Sequence, residues 1–247
     1  MVLWIYASAT KAPTIRREAV GWAAVSGLGM HAVYLGGVFL AISWGMPTGV
    51  GALIAGLHPV ITSVTARVLL GERLAPWQWA GVGLGLSGVV VVVVDRMAGQ
   101  ASDISTGALI AAAVSVLGMV FGTLVQRARG AHMPLLRGTV VQYTASAAVL
   151  FVGAVVHEHI DFTVTRRSVF ALAWAVVVLS IAAVLIMLWL LQHHAAAKVS
   201  SLFFLTPALS TVEGAILFGE QLGPLAIIGL VTALVGVSLT LHSRPEP

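Results

Sequence analysis

The chain has 247 residues, of which 59% are hydrophobic and only 9% charged, with a net charge of +4 at pH 7. A soluble domain carries about 25% charged residues, and nine acids with thirteen bases cannot clothe a water-soluble core of this size, so an aqueous globular fold is excluded. The mean hydropathy of +1.00 reads instead as a membrane protein, and with no cysteine in the chain, disulfides, thiolate metal centres and cysteine nucleophiles are excluded as well.

The first eighteen residues, MVLWIYASATKAPTIRRE, have no basic start, so they do not read as a signal peptide. Their apolar part of about nine residues, at about 1.5 Å per residue, is too short for a hydrocarbon core of about 30 Å. It reads as the closing stub of a span. Eight apolar runs of membrane-crossing length follow, at 20–44, 48–70, 77–94, 105–126, 139–156, 168–191, 196–218 and 224–241. Helix is the economical conformation for them, because a lipid-exposed backbone must satisfy its own hydrogen bonds, and barrel strands would alternate in polarity. The expected fold is therefore an all-α polytopic bundle of eight complete spans and an N-terminal stub.

The basic residues sort by face. Lys11, Arg16, Arg17, Arg67, Arg73, Arg127, Arg129, Arg137, Lys198 and Arg244 lie before the first span, after the second, fourth and sixth, and after the last; Arg96, Arg166 and Arg167 lie on the other face. Ten against three assigns the first face, with the C-terminus, to the cytoplasm of an inner (plasma) membrane. The sequence pI near 10.1 is thus an orientation signal, and no nucleic-acid partner is expected.

The motif LLGERLAP at 69–76 returns as LFGEQLGP at 217–224. Aligning Pro59 with Pro207 also pairs Leu57 with Leu205, Gly71 with Gly219, Glu72 with Glu220, Pro76 with Pro224, Gly81 with Gly229 and Gly88 with Gly236. Each Gly or Pro alone fits a generic helix end, but their shared order over two spans reads as an internal duplication. The topology puts Glu72 on the cytoplasmic face and Glu220 on the opposite one, so the copies are inverted. Residues 104–242 hold five spans, whereas 1–95 hold three and the stub, about one and a half fewer. Inverted repeats are the architecture of many secondary transporters, whose halves exchange conformations about a midplane site.

The segments GVGALIAGLHPVITSVTARVLLGERLAPWQWAGVGLGLSGVVVV (49–92) and AAAKVSSLFFLTPALSTVEGAILFGEQLGPLAIIGLVTALVGVSL (195–239) resemble the two signature halves of EamA-type permeases of the drug/metabolite transporter superfamily. The resemblance covers essentially the whole chain. It implies a ten-span fold of two inverted five-helix repeats that moves small metabolites, amino acids or drugs without ATP, and it places the family's first span and most of its second ahead of Met1. The fourth span has Leu117 and Gly118 where such permeases often show Trp-Ala, so no aromatic wall carries over from that helix.

Other motifs weigh less. Gly83, Gly85 and Gly88 form a G-x-G-x-x-G inside a span, where Gly81 and Gly85 as a small-xxx-small packing face fit better than a dinucleotide loop. Gly85, Ser87 and Gly88 resemble the G-x-S-G of rhomboid intramembrane proteases, but the candidate bases His193, His194 and His242 sit at span ends. The histidines fit no metal-ligand spacing, and neither metal nor cofactor is expected. Glu213, about 9 Å below the outer end of the seventh span, is functional by default as a proton or cation contact. His58 and Thr206 precede the paired prolines, where a missing backbone donor opens the helix ladder. His31 and Tyr34, Gln142 and Tyr143, and Trp189 are candidate polar and aromatic walls. Pro59, Gly71, Glu72, Pro76, Pro207, Gly219, Glu220 and Pro224 form the structural repeat motif. The function expected is alternating-access export of a small solute, with membrane lipid and a small-molecule substrate as partners and protons and a second copy of the chain as further candidates. The competing expectations are a non-transporting membrane subunit that needs a partner chain and an intramembrane serine protease.

Overall fold

The structure is a computed structural model, and it describes residues 2–9, 12–97, 104–130, 133–157, 164–207, 209, 212, 216 and 223–242. Among these the regular elements are all helical. They are α1 (Val2–Ala9), α2 (Arg17–Ser43), α3 (Thr48–Gly56), α4 (His58–Leu70), α5 (Pro76–Met97), α6 (Thr106–Arg129), α7 (Leu135–His157), α8 (Arg166–His193), α9 (Ala196–Ser201) and α10 (Pro224–Leu241).

Helices α2, α5, α6, α7, α8 and α10 are each long and apolar enough to cross a membrane. The expected second span is instead two helices, α3 and α4, that meet at Leu57. The expected seventh opens as α9 and a 3₁₀ turn, Leu202–Phe204, and then passes largely outside the described residues. Local chemistry sets the ends. The Ser105 hydroxyl accepts the Ala108 amide at 3.2 Å to start α6, and Thr165 and Ser168 form a reciprocal capping box on α8. Gly71, at φ 68°, ends α4 in the left-handed conformation that glycine adopts freely, and Pro76 and Pro224 are the first residues of α5 and α10.

In the Pro59/Pro207 register, backbone irregularities recur at matched positions. Pro59 has no amide hydrogen, its ring crowds the carbonyl of Ala55, and the chain tightens ahead of it, so that the Leu57 amide reaches the Ile54 carbonyl at 3.0 Å. At the matched place the Leu205 amide reaches the Leu202 carbonyl. Helix α2 carries a π-helical segment at Leu28–Val33 and α8 one at Ala175–Ala183, again overlapping in that register.

Close packing centres on α5 and α10, which run antiparallel through their glycines. A Cβ on Gly81 would lie 2.6 Å from the Gly236 carbonyl oxygen, and one on Gly88 would lie 2.6 Å from that of Gly229. A Cβ on Gly81 would also lie 2.6 Å from Thr240 Oγ1, and one on Gly229 would lie 2.6 Å from Val92 Cγ2. Each contact has a mate with the aligned positions exchanged, as contacts across a two-fold axis do. Helix α2 meets α6 the same way, with Gly29 against the Gly118 carbonyl and Gly122 against that of Ser26.

Side-chain contacts group the helix ends. Arg129 lies over the Trp22 ring at 4.7 Å, Gln192 Nε2 donates to the Gly130 and Met133 carbonyls at 2.8 Å, and Gln78 Nε2 donates to the Thr240 carbonyl at 2.9 Å. These ends, from the loops rich in Arg and Lys, meet on one side of the bundle. Ser105 Oγ and the Trp44 carbonyl, 3.5 Å apart, mark the other. Outward faces are apolar, with Phe39, Val68, Phe151 and Phe170 about two-thirds or more exposed, which suits lipid.

The glycine contacts yield a paired prediction. Gly88→Val forces side-chain atoms into backbone that cannot yield, and should cost about 1–3 kcal/mol, seen as a lower Tm in detergent and loss of the monodisperse peak. Gly83, where an added Cβ meets nothing within 4 Å, should accept Ala with a change of at most about 1 kcal/mol.

Candidate functional site

The helix break at Leu57 leads directly into His58, which is 2% exposed. Its ring stands edge-on to Phe203, with centroids 5.0 Å apart, so the broken segment of the first half touches the 3₁₀ turn of the second. Neither ring nitrogen of His58 has a hydrogen-bond partner, and the hydroxyl of Thr62, one turn along α4, is equally buried and unpartnered. Other hydroxyls nearby are satisfied by their own helices: Ser63 donates to the Pro59 carbonyl at 2.7 Å and Ser200 to that of Ala197 at 3.1 Å.

A second polar cluster joins α2, α6 and α7. Gln142 Nε2 donates to Gln126 Oε1 at 2.8 Å and to Ser26 Oγ at 3.2 Å, and Ser26 Oγ lies 3.2 Å from Gln126 Oε1. The backbones can meet here because Gly27 presents no side chain to Gln142. In the π-helical segment of α2, His31 tilts against Tyr143 with centroids 4.7 Å apart, and the Tyr143 hydroxyl donates to the Ser180 carbonyl in the π-helical segment of α8. His31 Nε2, Gln142 Oε1 and the Thr123 hydroxyl are buried without partners.

The expected site residues therefore divide. His31, Gln142 and Tyr143 come together, and Tyr34, half-buried, packs against the core around Met30, Met119 and Leu188. His58 stands at the crossing of the two broken segments. Thr206 is exposed, and Trp189, 46% exposed, stacks on His193 at 4.6 Å at the end of α8, so neither joins the cluster. Glu213, Gly219 and Glu220 lie outside the described residues. Ser26, Thr62, Thr123 and Gln126 were not anticipated. Thr62 has a sequence signal, since it lies four residues after His58 on the same helix face; Ser26, Thr123 and Gln126 have none.

Among the described residues the fully buried polar side chains are Ser, Thr, Gln and His, and no carboxylate, ammonium or guanidinium side chain is fully buried. Such a set offers neutral hydrogen-bond donors and acceptors, and an unpartnered buried polar atom is costly unless water or a solute meets it. An open groove of about 520 Å³ between α2 and α6, walled by Val33, Leu40, Trp44 and Ile110, is almost wholly apolar and holds none of the expected polar site residues. Ser87 is exposed and bonds to the Gly83 carbonyl of its own helix at 2.9 Å, the posture of a solvated or lipid-facing serine rather than of a nucleophile held against a base.

Comparison with known proteins fits this geometry. The model of the EamA-like transporter family matches residues 1–94 and 106–242. A "Probable amino-acid metabolite efflux pump" of Escherichia coli (strain K12) is 26% identical over 212 residues, covering 83% of this chain and 71% of that protein. The "Uncharacterized inner membrane transporter YedA" of the same strain is 24% identical over 229 residues, 90% of this chain and 72% of its own. A "Probable terminal-alkyne amino-acid exporter" of Streptantibioticus cattleyicolor is 27% identical over 218 residues, 83% of this chain and 70% of its own. One solved crystal structure superposes with a TM-score of 0.78 over 97% of this chain and 82% of that chain at 20% identity, a likeness of fold alone. With the family model spanning nearly the whole sequence, the chain is a multi-pass membrane protein that belongs to the EamA-like transporter family.

Proposed function

We propose that the protein is a secondary transporter that moves a small polar or amphipathic solute of the amino-acid or metabolite class outward by alternating access. Its repeats are residues 1–95 and 104–242, inverted about an axis in the membrane plane, with eight spans and a stub in this chain and the C-terminus in the cytoplasm. The observation that carries the reading is the meeting of the two proline-broken segments, where His58 is buried against Phe203 with both ring nitrogens unpartnered. Irregular backbone at membrane depth is tolerated where it lines a cavity, and a buried imidazole without partners is a group waiting for one. The matched 3₁₀ turns, the matched π-helical segments and the exchanged glycine contacts support the inverted repeat. The names of the amino-acid efflux relatives support the substrate class and the direction.

In this mechanism the solute reaches the His58 level from one face, exchanges its hydration for the neutral donors and acceptors of His58, Thr62 and the Gln142 cluster, and leaves by the other face once the halves have rocked. Glu213 is the proposed proton carrier, with His58 as its partner in coupling.

Replacing His58 by Leu separates site from scaffold. Removing an unpartnered buried imidazole relieves an unpaired group, so the Tm should hold or rise. Flux of a neutral radiolabelled amino acid in proteoliposomes should fall by about tenfold or more. Undiminished flux would remove His58 from the site. For coupling, Glu213→Gln and His58→Ala should each abolish flux driven by a pH gradient; if both leave it unchanged, proton coupling through this pair is wrong while the transporter class stands.

A further inference from the structure

Glu72 follows the left-handed Gly71 that closes α4, and its side chain is 11% exposed. Its carboxylate accepts three bonds: from Arg127 Nε at 3.0 Å, from the Ala196 amide at 3.0 Å and from the Ala197 amide at 3.4 Å. A second guanidinium nitrogen of Arg127 lies 3.3 Å from the Leu191 carbonyl and 3.5 Å from that of Gln192. The chemistry is complementary at every joint. The first amides of α9 lack helical acceptors and take the carboxylate; the last carbonyls of α8 lack helical donors and take the guanidinium; the two charges then take each other. Glu72 belongs to the first half of the chain, and every one of these partners belongs to the second.

The contact differs in kind from the glycine seam of α5 and α10. That seam runs along both helices with backbone against backbone, and parting it would leave voids down its whole length. The Glu72 contact is a compact polar cluster at the rim that carries most of the basic loops, beside the Arg129–Trp22 and Gln78–Thr240 contacts, and water can replace each of its bonds. It is also connected to the site. Helix α9 starts at the carboxylate and ends in the 3₁₀ turn whose Phe203 faces His58.

We infer that Glu72 and Arg127 form an inter-repeat latch that holds the basic-loop rim shut and, when released, frees α9 and opens the path to His58. The inference rests on the transport reading above, but its test needs no substrate. The native chain has no cysteine, so Ser200→Cys, at a position 1% exposed in α9, supplies a sole thiol behind the latch. Ser146→Cys, at a position 2% exposed in α7, supplies a second reporter away from it. Each is labelled with a membrane-impermeant maleimide applied from the basic-loop side of sealed vesicles.

Glu72→Gln removes the charge and should raise the labelling rate at position 200 by about tenfold, with the rate at position 146 unchanged. Arg127→Lys keeps the charge but cannot bridge the carboxylate and both carbonyls, and should give a smaller rise at position 200. It is the deciding variant if Glu72→Gln does not give a monodisperse protein. An unchanged rate at position 200 in folded protein, or an equal rise at both positions, would overturn the latch. Wild-type flux that persists beside such a result would leave the transport reading standing.

Discussion

In a bilayer, lipid tails solvate apolar side chains as well as other helices do, so helices associate where their backbones can touch. The antiparallel seam of α5 and α10 meets that condition with Gly81, Gly85 and Gly88 on one helix and Gly229, Ala233 and Gly236 on the other. The remainder of the bundle is arranged about it. The seam fixes which faces of the two halves meet, and Phe204, packed against Gly85, ties it to the broken segment of the second half. In the first half Gly56, aligned with Phe204, packs against Val89 of the same seam helix.

A seam of this kind is rigid, and the elements around it are not uniform. Two stretches of 3₁₀ geometry and two of π-helix lie on the helices flanking the centre, and the unpartnered polar atoms of His31 lie in one such stretch and those of His58 directly after another. Local violations of helical regularity concentrate where a sequence is shaped for function, and here they coincide with the groups that lack partners. A stiff axis, an irregular polar centre and a polar contact at one rim are the parts on which the proposed alternating access would draw.

Much of this was legible in the sequence, for identifiable reasons. Helix existence followed from uninterrupted apolar runs. Gly71, Pro76 and Pro224 marked helix ends, because they act through backbone conformation alone. Gly81 and Gly85 were readable as a packing face from their place inside a span, and both are closely packed, whereas Gly83 of the same run meets nothing. What sequence does not carry is long-range pairing. Glu72 read as punctuation, yet its carboxylate reaches residues 55 to 125 positions away. Ser26, Gln126 and Gln142 sit on three different helices, and only tertiary packing reveals that they bond. The reverse also holds for Thr206 and Trp189, whose exposure depends on how their helices are rotated against neighbours. Hydropathy marks one apolar run at 48–70, and it was Pro59 that pointed to an opened helix ladder there; that the opening is a full break at Leu57 depends on the backbone turn the proline imposes two residues earlier.

The most direct test of two inverted halves is the sidedness of matched positions. Arg73→Cys and Gln221→Cys, equivalent in the Pro59/Pro207 register, can be made one at a time in this cysteine-free chain and labelled with an impermeant maleimide in right-side-out and inverted vesicles. Labelling from opposite faces, with position 73 reached from the cytoplasm, is the predicted result. Labelling of both from the same face would contradict the inversion, and with it the alternating-access mechanism built upon it.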